Sequence, residues 1–142
     1  MVTFDGFFTG ELDALETKLE AVYTTYNIFQ GEKTLGEALS YGKPIISLTL
    51  GDVRPNPNEQ YAWIFEIVMT YVKYDPDGST YDALDDLEAV LDTVHDWYIN
   101  TRNVSGNNVY GDLESVNPWV FPRDNNFVYG FRCVWKINKE EP

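Results

Sequence analysis

The chain has one cysteine, Cys133, and one histidine, His95, among its 142 residues. A lone cysteine excludes an intrachain disulfide and a cysteine-based zinc site, so folding must rest on a packed core. Basic residues are also scarce: 10 Lys and Arg stand against 23 Asp and Glu, for a net charge of −13. That balance repels phosphates and anionic lipid over most of the surface and argues against direct DNA or RNA binding. It serves plain solubility equally well, and it suits a salty environment. No run approaches the roughly 18 apolar residues that span a bilayer, and the N-terminus lacks a basic stretch followed by an apolar one. The expectation is therefore a chain neither embedded in a membrane nor led by a signal peptide. No internal repeat or low-complexity tract is present.

What the chain does contain is core material. Hydrophobic residues make up 44% and aromatics 15%, more than a disordered chain carries and enough to offset the entropy of folding. The length suits a single domain over residues 1–142.

Leu12, Leu15, Leu19 and Val22 recur at steps of three and four, predicting an amphipathic helix over Glu11–Thr24 that Thr9 or Gly10 begins. Glu11 and Asp13 sit near its positive end. Tyr26–Phe29 reads as a short strand, and Gly31–Gly42 as a loop or one weak helical turn. The branched run Ile45–Leu50 is a strand that Gly51 closes, and the two prolines of Asp52–Glu59 make that segment a loop or a splayed hairpin tip. Gln60–Tyr74 is the strongest β segment, apolar on both alternating faces, and Asp75–Gly78 supplies a turn.

A second helix starts at Ser79 or Thr80 and carries the stripe Leu84, Leu87, Leu91, Val94 and Tyr98, widened by Ala83, Val90 and Trp97, with Asp85, Asp86, Glu88, Asp92 and Asp96 mostly outward. Asn100–Asn117 is polar and glycine-bearing and reads as a long loop, with a short strand at Val109–Tyr110. Trp119–Phe121 is a strand, Pro122–Asn125 a turn, and Asn126–Asn138 a last strand with Phe127, Tyr129, Phe131, Cys133, Trp135 and Ile137 on one face. The order predicts an α/β fold of α+β type: an antiparallel or mixed sheet with two main helices packed on one face.

Familiar chemistry is missing from this pattern. His95 beside Asp92 and Asp96 is a poor ligand set where zinc asks for three or four donors. Asp75 and Asp77 lack the downstream acid of a calcium loop, and with Asp85 and Asp86 they serve as turn and cap residues. Cys133 alternates with inward aromatics and reads as a small buried hydrophobe. No serine sits in a nucleophile elbow, and no glycine-rich loop cradles phosphate. The expectation is no catalytic residue, no metal, no cofactor and no enzyme activity.

Two long strands offer more apolar faces than two helices cover, which points to self-association. A cyclic assembly needs two different patches per subunit. One is placed around Tyr61, Trp63 and Phe65 and the other near Trp119 and Phe121, with burial of the same residues in the subunit's own core as the competing reading. The segments Asn100–Asn117 and Asp52–Glu59 are expected to be ordered by partners.

The layout resembles the tail-terminator family of long-tailed bacteriophages. It is carried by the helix Glu11–Thr24, the strand ending Ile28–Phe29, Lys43–Leu50 with its polar loop, Tyr61–Tyr74, the turn Asp75–Gly78, the helix Tyr81–Tyr98 and the hairpin closing on Phe127–Ile137. The resemblance implies a virion protein of the tail and neck, assembled in the host cytoplasm as a ring, hexameric in that family's manner. Such a ring sits on the tail tube protein, ends tube polymerisation and meets a head-closure or connector protein. A negative lumen wall would suit the passage of DNA. Head-closure or tail-completion proteins are alternatives of the same class. From other classes come an acidic DNA mimic, with Asp82, Asp85, Asp86, Glu88, Asp92 and Asp96 standing for phosphates, and a small-ligand binder on the aromatic sheet.

Overall fold

A computed structural model of the chain describes residues 4–31, 44–75, 80–104, 108–123 and 126–141. In chain order the elements are α1 (Thr9–Val22), β1 (Asn27–Gln30), β2 (Ile45–Pro55), β3 (Ala62–Asp75), α2 (Thr80–Trp97), a π-helical turn (Tyr98–Arg102), β4 (Val109–Arg123) and β5 (Asn126–Glu140). The strands form one five-stranded sheet in the order β1-β2-β3-β5-β4. β1 runs parallel to β2 and every other pairing is antiparallel. The result is the expected α+β fold with a mixed sheet. The loop or turn reading of residues 32–43, the turn residues Pro76–Gly78, the cap at Ser79, the Ser105–Asn107 stretch and the turn residues Asp124 and Asn125 lie outside the described residues.

Alternation along the strands decides where the core lies. Ile46 and Leu48 pair with Tyr71 and Met69, which pair in turn with Phe131 and Cys133, so these side chains share one face. Phe65, Ile67, Trp135 and Ile137 extend it. Against it pack Leu12, Leu15 and Leu19 of α1 and Ala83, Leu87, Val90, Val94 and Trp97 of α2. Each fully buried leucine or isoleucine there contributes about 1.5–3 kcal/mol relative to exposure. The expected stripe on α2 is present: Leu87, Val94 and Tyr98 are buried with the flanking Ala83, Val90 and Trp97, while Leu84 and Leu91 lie at the edge of the contact. On α1 the stripe ends early, since Val22 is exposed.

Two strands run further than their sequences suggest, for the same reason. Gly51 does not close β2: Leu50 pairs with Ile67 and Val53 with Phe65, so Gly51 and Asp52 together oppose Glu66 in a bulge and the strand continues to Pro55. A Cβ on Gly51 would lie 2.9 Å from that of Glu66, which explains the glycine by close approach. In β4, Leu113 pairs with Trp135 and Ser115 with Val134, leaving Glu114 as the extra residue of a second bulge. Much of the segment read as a loop, from Val109 to Asn117, is therefore strand. A bulge resets the two-residue alternation, and an edge position leaves one side of the strand to polar residues, so neither segment carries a strand's usual pattern.

Candidate functional site

The features that ask for a function gather at one end of the sheet, where β3 begins and β5 finishes. Here the turn before α1 brings Phe4, Phe7 and Phe8 together, with Phe4 and Phe7 edge to face at 5.5 Å. Phe8 meets Phe65 at 5.2 Å and Phe4 meets Trp63 at 5.4 Å, both edge to face. Trp63 is half-buried in this cluster and its Nε1 donates to Glu141 Oε1 at 2.8 Å. Phe65 is 0% exposed and belongs to the subunit's own core, so its expected place in a surface patch is corrected. The reason is its row: Phe65 lies under Phe8 on the helix-covered face, one step further in than Trp63.

Tyr61 does present a surface. It is 66% exposed, and its backbone holds φ +64, a left-handed conformation that a bulky residue rarely adopts. Its carbonyl accepts from Glu141 N at 2.7 Å, and Ala62 O accepts from Asn56 N at 2.9 Å, so the chain on both sides of the bend is tied down. The five residues named as interface candidates do not converge. Tyr61 and Trp63 share this end, Phe65 is internal, and Trp119 and Phe121 stand further along β4 at register positions opposite Gly130 and Val128.

A buried ion cluster braces the same end. Glu11, in the first turn of α1, is fully buried; Arg102 pairs with its Oε1, and Lys139 Nζ lies 3.1 Å from that oxygen. Lys139 Nζ also donates to Phe7 O at 2.7 Å and stands 4.6 Å from the Phe7 ring centroid. The π-helical turn brings Arg102 there. Its wider winding, with Asn103 N donating to Tyr98 O at 2.8 Å, also packs Tyr98 on Gly111, where no Cβ would fit. Burial raises the Tyr98 hydroxyl pKa far above the ordinary tyrosine range, and the Glu11 charge adds to the effect. Sequence reasoning placed Glu11 at a helix terminus; its partners on the π-helical turn and β5 have no local signature.

Both margins of the sheet are open at this level. Among the described residues β1 pairs with β2 only as far as Leu48, and β2 from Thr49 to Pro55 has no outer neighbour. Leu50 and Val53 are 38% and 39% exposed there. On the far margin β4 has no outer neighbour among the described residues, and Leu113 and Tyr110 are 37% and 47% exposed. Between α2 and this margin runs a groove of about 450 Å³ with Leu91, Leu113 and Trp135 as apolar lining and Glu88, Asp92, His95 and Asp112 around them. Trp135 Nε1 is buried with no hydrogen-bond partner among the described residues.

Reactive groups do not converge at this end. Cys133 is buried in the core, and burial pushes its thiol up to about 12. His95 is exposed, and among the described residues no group of three or more His, Cys, Asp or Glu side chains is placed to hold a metal ion. Asp86 is bound by Lys73 Nζ at 2.6 Å, and Asp96 accepts from Asn100 Nδ2 at 2.6 Å. No helix among the described residues is long and apolar enough to cross a membrane. No protein-family model matches the chain, and no curated protein matches it.

Proposed function

We propose that the chain is a structural subunit that works by assembling into a ring, of the kind that terminates a phage tail tube and joins it to the head. The observation that carries this reading is the pair of unlike open margins on one sheet, each bearing exposed apolar residues at the same end. A closed ring needs two different, mutually complementary surfaces on every subunit. The α+β layout agrees with the resemblance in sequence, and the acidic balance suits a wall along which DNA slides. On this reading the partners are further copies of the chain, the tail tube protein and a head-closure or connector protein. The site is the virion neck, and no reaction, metal or cofactor is involved.

Light scattering on the purified protein, followed by electron microscopy with tail tubes, tests the proposal. Rings, or caps at tube ends, are the expected outcome; a monomer at every concentration that leaves tubes uncapped would remove it. The exposed row Asp85, Glu88, Asp92 and Asp96 on α2 favours a second reading, an acidic mimic of DNA. That reading requires tight binding to a basic nucleic-acid-binding protein with steep salt dependence and no ring.

A further inference from the structure

We propose that the ring is built by edge-to-edge pairing, in which β2 residues 49–55 of one copy run antiparallel to β4 residues 109–115 of the next. This inference rests on the ring-subunit reading and names the surfaces that reading needs. The two segments lie level with each other across the sheet. Leu50 shares a row with Ile67, Trp135 and Leu113; Val53 with Phe65, Ile137 and Gly111; and Arg54 with Ile64, Asn138 and Tyr110. A rotation that relates neighbours about an axis along the strands keeps that level. Because β2 and β4 point in opposite directions within the sheet, the rotation sets them antiparallel.

Above Leu48, β2 is already occupied by β1. On the row of Ile46, β4 carries Pro118, which has no N–H to offer a further strand. Among the described residues, β2 and β4 both lack an outer neighbour at the level of residues 49–55 and 109–115.

The side chains match on both faces. Leu50, Val53 and Leu113 all stand on the helix-covered face, so pairing brings Leu50 and Val53 of one copy against Leu113 and the groove beside it. On the opposite face Arg54 meets Tyr110 and Asp112 of its neighbour, a cation against an aromatic ring and a carboxylate. The bulges at Gly51–Asp52 and Glu114 interrupt each strand, which limits the pairing to a short register and opposes open-ended stacking.

The test joins a charge substitution to a covalent trap. Leu113→Lys is expected to melt as the parent does and to raise the concentration for half-assembly by roughly tenfold or more. Val22→Lys, an exposed apolar position at the last residue of α1 and on neither margin strand, is expected to assemble normally. The double variant Leu50→Cys with Leu113→Cys is expected to form a ladder of disulfide-linked oligomers on mild oxidation. Either single variant is expected to give none, the native Cys133 being buried. Rings that form normally with Leu113→Lys, and no ladder from the double variant, would overturn the edge pairing while leaving the ring intact. A parent protein that never assembles, alone or on tubes, would overturn both.

Discussion

The two faces of the sheet are made by the same strands in alternation, yet they are built to different ends. On the helix-covered face β3 and β5 place Phe65, Ile67, Met69, Tyr71, Phe131, Cys133, Trp135 and Ile137, all buried. The opposite face carries Ile64, Glu66, Val68, Thr70 and Val72 beside Arg132, Val134, Lys136 and Asn138, short branched residues between polar ones. Val68, Val72 and Val134 are nonetheless buried within the single chain. Among the described residues, the excess of apolar strand surface that sequence counting suggests is therefore largely absorbed inside the subunit. Among the described strand side chains, the exposed large hydrophobics lie along the margins, at Leu50, Val53, Tyr110 and Leu113. On the ring reading proposed above, partners are therefore sought at the sheet edges rather than at an uncovered face.

Substitutions can break this comparison. The largest effect is expected from Trp135→Ala on the covered face, which empties a fully buried site beside α2 and Tyr98 and lowers stability by about 3–5 kcal/mol in urea unfolding. Gly111→Ala is next, at about 1–3 kcal/mol. Its Cβ would lie 2.7 Å from Tyr98 Cγ, and that ring is fully buried with nowhere to move. Val68→Thr on the opposite face is expected to lower stability by about 1 kcal/mol, close to the ordinary effect of a point substitution. If Val68→Thr matched Trp135→Ala, the two faces would be equal partners in the core and the contrast between them would fall.

A gentler probe is pH. The buried Cys133 thiol is held up at about 12, against an ordinary 9.0. The unfolded chain releases that proton near 9.0 and the folded chain only near 12, so stability is full below about pH 9 and declines as pH rises from there toward 12. Tyr71 and Tyr98, also raised by burial, act in the same direction. Urea midpoints across this range are expected to fall, and Cys133→Val is expected to flatten the first part of the decline. The smallest effect belongs to Lys73→Met. Its ion pair with Asp86 is partly solvent-exposed, and its loss is expected to shift stability by less than about 1 kcal/mol.

The sequence by itself determined the two helices, the long strands β3 and β5 and the face that β5 turns inward, whereas β3 reads as apolar on both faces. These depend on periodicity, which a run of residues carries whatever lies around it. Leu15 and Leu19, Leu87 and Val94, and the row from Phe131 to Ile137 are where the pattern puts them. The tertiary structure alone decided the rest. The bulges that prolong β2 and β4 depend on which strand lies alongside, and Glu11 gains Arg102 and Lys139 only when the π-helical turn and the end of β5 arrive beside α1. Trp63 and Phe65 look alike in the alternating pattern, yet one borders solvent and the other is sealed under Phe8, because burial at a sheet's end is set by what the rest of the chain lays over it.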